Sequence, residues 1–357
     1  MKSVADDEPL EPFFAAVLKG FPAACATHGS NRFDFAIASR LVRVHCAGDA
    51  ISPLLRPLRH HPIWEGPGNA PSLEIFAWEG PQGWLPPRPP WKISQQGRLG
   101  EITGLNSERF RLNYDPSGLL CMFDQQSRRA IFWMPRGESL PWWEVASPFR
   151  VLFHWWAPLI GGQVAHAAAV GQNGEGVLLV GRSGSGKSTA AMACLDAGML
   201  YVGDDYVLLT RNSVPRAHSL YSSGKLHTRF LGDVMPHWKP HVSLQIGPER
   251  KSVFLLQNCP AYACCLRSNL VIRAVVIPQI SARISSRLTK RHAGAGLLAL
   301  GPSTLFQLPG ARHGVMTYIG EWLRELPVFT LESGTDLPSI ATELSRLLAP
   351  SESIFAA

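Results

Sequence analysis

The stretch Gly176-Val-Leu-Leu-Val-Gly-Arg-Ser-Gly-Ser-Gly-Lys-Ser-Thr189, continued by Ala190-Ala-Met-Ala-Cys-Leu-Asp-Ala-Gly-Met-Leu-Tyr-Val-Gly-Asp-Asp-Tyr-Val-Leu-Leu209, decides how the chain is read. Residues 177–180 are an apolar run of strand length, and 189–197 are small residues suited to a helix. Between them, 181–188 fit G-x-x-x-x-G-K-S without a mismatch. Gly181, Gly184 and Gly186 let the backbone take positive φ, so that successive N–H groups can converge on phosphate oxygens at a helix start. Lys187 is expected on the β and γ phosphates and Ser188 on Mg²⁺, with Ser183, Ser185 and Thr189 completing the nucleotide-binding set.

After Gly198 stops the helix, 199–202 read as a second strand, ending in Gly203-Asp204-Asp205. A carboxylate pair at a strand's C-terminal end lies beside the ligand crevice of an open α/β sheet. One acid can organise Mg²⁺ and the other can accept a hydroxyl proton, so two acids invite group transfer where one suffices for nucleotide hydrolysis. A solvated turn aspartate is the plainer reading of either.

These residues resemble the C-terminal catalytic domain of the HPr kinase/phosphorylase family. The likeness rests on His166-Ala-Ala-Ala-Val-Gly, on 176–189, on Gly198, and on Tyr201-Val-Gly-Asp-Asp-Tyr-Val-Leu-Leu. It is specific over 160–210 and looser to about 350. It implies Asp204 as the base taking the proton of a Ser hydroxyl, His166 near Asp204 and the γ phosphate, and Asp205 with Ser188 on the metal. Without the likeness, a single His after an apolar run reads as a packed core residue. The family's Glu-Val-Arg-Gly-type stretch, associated with dephosphorylation, is absent, and His218-Ser-Leu-Tyr-Ser-Ser-Gly-Lys-Leu-His stands where it should follow. The chain therefore resembles the Ser-kinase branch that lacks it. The family's ring-like assemblies imply a homo-oligomer.

Size and composition bound the rest. A chain of 357 residues holds two ordinary domains. With 46% hydrophobic and 17% charged residues it reads as folded and soluble. No apolar run is long enough to cross a bilayer, and the acidic first nine residues lack signal-peptide order, so a cytoplasmic location is expected. Seven scattered cysteines without a Cys-x-x-Cys pair argue against a disulfide framework or a zinc site. The net charge of +7 is uneven, with 13 Lys and Arg against 2 Asp and Glu over 211–292. Such a field suits ATP and an acidic peptide or protein, or is a solvated basic face. Nucleic acid is not expected, because the basic residues stand singly in apolar segments without stacking aromatics.

Residues 1–155 read as a mixed α+β domain rich in Pro and Trp. A helix is predicted over 11–18, strands at 33–37, 41–44 and 73–78, and a proline-interrupted helix start at 49–58. Residues 80–90 are a Pro-rich loop. Strands at 109–112, 119–123 and 130–134 form an antiparallel meander joined by turn residues. A helix at 148–159 is read as the hinge that packs two domains together; its neighbourhood has too few basic residues for membrane binding. Residues 156–357 make an α/β phosphate-loop domain, which the resemblance likens to the HPr kinase and phosphoenolpyruvate-carboxykinase type. In it, 207–209 continue a strand and 218–225 are a polar loop facing substrate. A strand is predicted at 270–278, helices at 293–300, 313–326 and 337–348, and a strand at 327–331. Lys225, Arg229, Arg250 and Lys251 are candidates to stabilise a transferred phosphoryl group.

The reading is an ATP- and Mg²⁺-dependent kinase acting on a Ser hydroxyl of a peptide or protein. Two alternatives stand beside it: an ATP-binding regulatory module without transfer, and a kinase for a small molecule such as free serine or a sugar.

Overall fold

The computed structural model describes residues 10–68, 70–80, 84, 86–138, 140–246, 251–309 and 314–349. The chain divides into two compact units, Met1–Gly162 with Leu305–Arg312, and Gln163–Thr304 with His313–Ala357. Both mix helices with sheet. Among the described residues no helix is long and apolar enough to cross a membrane.

The first unit holds α1 (Leu10–Leu18), α2 (Gly20–His28), β1 (Asn31–Ile37), β2 (Arg40–Ala47), β3 (Leu73–Glu79), β4 (Phe110–Tyr114), β5 (Leu120–Asp124), β6 (Arg129–Met134), α3 (Trp142–Ala146) and α4 (Arg150–Trp156). Its six-stranded sheet runs β1-β2-β3-β6-β5-β4. The predicted meander is present, with β4 antiparallel to β5 and β5 to β6, while β3 is parallel to both neighbours. Leu10, Phe13, Phe14 and Val17 of α1 recur at helical spacing and are buried against Phe110, Leu112, Met122 and Trp133 of the sheet. Ser52–Leu58 forms a 3₁₀ helix, because Pro53 and Pro57 lack the N–H groups an α-helix needs. Of the Pro-rich loop, Trp84 packs beside Trp78 and Trp133; residues 81–83 and 85 lie outside the described residues. The tryptophans of α4 bond within this unit, Trp156 donating to Ser72 Oγ at 3.0 Å and Trp155 to the Pro309 carbonyl at 3.3 Å.

The second unit follows with β7 (Gly162–Ala165), β8 (Ala168–Gln172), β9 (Glu175–Leu179), α5 (Lys187–Asp196), β10 (Leu200–Gly203), β11 (Val207–Arg211), β12 (Pro215–Ser219), β13 (Ser223–His227), α6 (Phe230–Asp233), β14 (Leu244–Ile246), β15 (Lys251–Leu255), α7 (Pro260–Ala263), β16 (Asn269–Ile280), β17 (Arg287–Arg291), α8 (Ala293–Leu305), α9 (Val315–Leu323), β18 (Val328–Ser333) and α10 (Pro338–Leu348). The 12-residue β16 is its spine, parallel to β9 and β18 and antiparallel to β12. Its Leu270, Ile272, Ala274, Val275 and Val276 are buried, as a strand covered on both faces requires. A separate three-stranded sheet, β13-β15-β14, lies beside α5, where Gly224 of β13 meets Met192. One carboxylate ties this region to the end of α5: Asp196 accepts from His237 Nε2 at 2.9 Å, Trp238 Nε1 at 3.0 Å and Tyr262 Oη at 2.9 Å.

One expectation fails here. Residues 218–225 are not a polar loop: they end β12, turn, and begin β13, and every one of them is buried. Their polar groups are satisfied internally, His218 by Thr210 Oγ1 at 2.8 Å and the Ser223 carbonyl by Tyr201 Oη at 2.9 Å. Serine, histidine and glycine looked like solvent-facing chemistry, but a sheet supplies the partners that water otherwise would.

Candidate functional site

The glycine loop links β9 to α5. Gly181, Gly184 and Gly186 have φ of +145°, +79° and +102°. Gly186 caps the N-terminus of α5, so the loop amides and the first turn of the helix combine into an anion-seeking end. Lys187 is buried and folded back on its own loop, its Nζ donating to the carbonyls of Gly181 at 2.7 Å and Arg182 at 3.2 Å. Burial lowers its pKa, partly offset by the charges of Asp204 and Asp205.

Across from the loop, the turn after β10 carries the two aspartates. Asp205 has φ of +78°, a left-handed conformation that Asp tolerates better than most residues. That twist turns the neighbouring carboxylates toward different partners. Asp204 is 1% exposed; its Oδ1 accepts from Ser188 Oγ at 3.1 Å and from the Asp205 N–H at 2.9 Å. Its Oδ2 is buried with no hydrogen-bond partner among the described residues, as is the hydroxyl of Ser185. Burial, and secondarily the charge of Asp205, pushes the Asp204 carboxyl up to about 6.

Asp205 is bonded at both oxygens, Oδ1 lying 3.3 Å from His166 Nε2 and Oδ2 2.5 Å from Lys225 Nζ. Burial alone would raise its pKa; the Lys225 charge and the His166 bond outweigh that and hold it well below the usual carboxylate range. Its side chain still shows 27% of its surface, whereas His166 and Lys225 are buried. Burial lowers the pKa of His166, whose Nε2–H donates to the Asp205 carboxylate.

A single pocket gathers these groups. It is lined by His166, Ser183, Gly184, Gly186, Lys187, Ser188, Thr189, Asp204, Asp205, Lys225, Leu226, His227, Arg229, Phe230, Lys251 and Ile280. Of the expected site residues, Gly181 and Ser185 do not line it. The partners of the acids differ from the expectation: His166 meets Asp205 rather than Asp204, and Ser188 meets Asp204 rather than Asp205. Arg250 lies outside the described residues. Sequence reading missed His227, Phe230 and Ile280. Recognising 223–227 as a strand would have found His227, which alternation places on the face of Lys225. The amides, helix terminus and lysine suit a polyanion. The unbonded oxygen of Asp204 suits a cation or a proton.

No family model matches the chain, and no curated protein matches it. Among solved structures, 98 chains match. One is an Hpr(Ser) kinase/phosphatase from Coxiella burnetii, 13% identical, with the match covering 52% of this chain and 95% of that one at a TM-score of 0.29.

Proposed function

We propose that the chain is an ATP-dependent kinase that transfers the γ-phosphoryl group to a serine hydroxyl of a peptide or protein. The observation that carries this reading is the convergence in one pocket of a phosphate-loop sequence, its lysine, and two acids with different partners. The loop amides and Lys187 position the phosphates. Ser188 fits Mg²⁺: its hydroxyl, held by Asp204 Oδ1 at 3.1 Å, can give a lone pair to a cation that takes its other ligands from phosphate and water, which leaves Asp204 Oδ2 for the proton. Asp205, committed at both oxygens, does not fit the metal role the sequence suggested for it. When bound, Mg²⁺ would supply charge neutralisation for the transferred phosphate.

The acceptor oxygen bonds to the γ phosphorus, the bond to the β–γ bridging oxygen breaks, and its electron pair leaves on ADP. The hydroxyl proton passes to Asp204, which lines the pocket and whose Oδ2 has no hydrogen-bond partner among the described residues. His166, held by Asp205, orients the phosphoryl group.

The test uses the full chain with radiolabelled ATP, Mg²⁺ and a degenerate peptide library carrying a single serine. Labelled phosphoserine peptide is the expected product. Transfer to free serine instead would make this a small-molecule kinase, and protection by ATP against heat with no labelled product would make it a binding module. Asp204→Asn keeps an acceptor for Ser188 but cannot take a proton. Transfer should fall at least about 100-fold while nucleotide affinity stays within about threefold; lost affinity would leave Asp204 a metal role alone.

A further inference from the structure

Three described cations beyond Lys187 reach the pocket: Lys225, Arg229 and Lys251. They differ in what surrounds them. Arg229 is exposed and lies over the Phe230 ring at 5.4 Å. Lys251 is half-buried at the first position of β15. Lys225 alone is walled in, 6% exposed, on the middle of β13, with its ammonium on Asp205. Water screens a cation at the rim, while one withdrawn from water keeps most of its field at short range.

A buried lysine does not choose its own position. Lys225 is fixed at its backbone by the pairing of β13 with β15, where it faces Val253, and at its tip by Asp205 Oδ2. Asp205 is fixed in turn by its left-handed turn and by His166. Two links therefore connect the backbone of the three-stranded sheet to the imidazole opposite the glycine loop. The ammonium is presented without conformational searching, which is what stabilisation of charge developing on a phosphoryl oxygen demands.

Resting on the kinase reading above, we infer that Lys225 is the cation that touches the transferred phosphoryl group, and that Asp205 is the positioning residue that aims it. Lys187 then serves the phosphates from the loop side and Lys225 from the sheet side, so the γ-phosphoryl sits between two lysines that come from different elements. Ion pairing to Asp205 gives the buried ammonium a partner of opposite charge within the fold.

Because the prediction concerns the γ phosphate alone, binding tests it without a known acceptor. The full chain is titrated calorimetrically with Mg²⁺ and either ADP or the non-hydrolysable triphosphate AMP-PNP. The wild type should hold AMP-PNP at least about tenfold more tightly than ADP. Lys225→Met should bring the two within about twofold, leaving ADP affinity within about threefold of wild type, and Lys225→Arg should restore at least half of the preference on a logarithmic scale. Asp205→Asn should narrow the preference in the same direction, since the ammonium stays but loses its aim. Melting curves show which variants are folded, and Lys225→Arg carries the test if the methionine variant is not. A methionine variant that keeps the wild-type preference, or that weakens ADP and AMP-PNP equally as a packing defect would, overturns the assignment. A wild-type chain that binds neither nucleotide overturns the kinase reading itself, a result distinct from either.

Discussion

Glu144 of α3 offers the most quantitative check on the first unit. It is buried, its Oε2 accepts the Phe149 N–H at 2.9 Å, and Arg150 Nε stands 3.4 Å from Oε1. Burial pushes its carboxyl up to about 7 from 4.5, and Arg150 with the Phe149 bond offsets only part of that. A folded-state pKa above the unfolded one means that the folded chain binds more protons between those values. Stability from this group is therefore full below pH 4.5 and is lost as pH rises through 7. Between pH 5 and pH 8 the loss amounts to about 2 kcal/mol. Glu144→Gln keeps an acceptor for Phe149 and cannot ionise, so the gap between wild type and variant should shift by that amount over the same range, in the variant's favour at high pH. In a unit of this size that is roughly 4–8 °C of melting temperature. Calorimetric melting of both proteins at pH 5, 6, 7 and 8 reads it directly. Parallel curves would refute the reasoning, because they would mean that the carboxyl titrates alike folded and unfolded.

Other predictions concern the second unit. On the kinase reading, Lys187→Met should weaken both ADP and AMP-PNP by about 100-fold or more, read by the same titrations, since this lysine reaches the β phosphate that both carry as well as the γ phosphate. At Gly186 an added Cβ would meet only Ile280 and Pro278 at ordinary distances, so Gly186→Ala should cost roughly 1–2 kcal/mol through its positive φ alone, seen as a lower melting temperature and weaker nucleotide binding. Asp196→Ala leaves three donors without their acceptor and should destabilise the second unit by about 2–4 kcal/mol in denaturant titrations; a loss under 1 kcal/mol would show that water replaces the carboxylate.

What could be read from the sequence was whatever depends on spacing along the chain. The glycine loop is such a case, because strand, turn and helix follow one another without an intervening element, and α5 begins at Lys187 within two residues of the expected start. The meander over 109–134 is another, since its turn residues lie between the strands they join. The partners of the acids were not legible. Asp204 and Asp205 are adjacent, yet the left-handed backbone at Asp205 sends one toward α5 and the other toward β7 and β13, a choice set by a dihedral rather than by composition. The stretch 218–225 misled for a related reason: polar side chains mark a loop only when nothing in the fold can bond them, and Thr210 and Tyr201 are brought to it from other strands. Ile280, 72% exposed at the end of β16, enters the pocket only because that strand runs two residues beyond its apolar core pattern.

The lysine folded onto the carbonyls of Gly181 and Arg182 acts as a stopper in its own socket. Any guest must draw it out and give back at least as many contacts as it removes. If the kinase reading holds, a lone inorganic phosphate offers few oxygens for that exchange, whereas a triphosphate chain can meet the amides and the displaced ammonium together. On the kinase reading, those two bonds set a threshold that a longer polyanion clears more readily than a small anion.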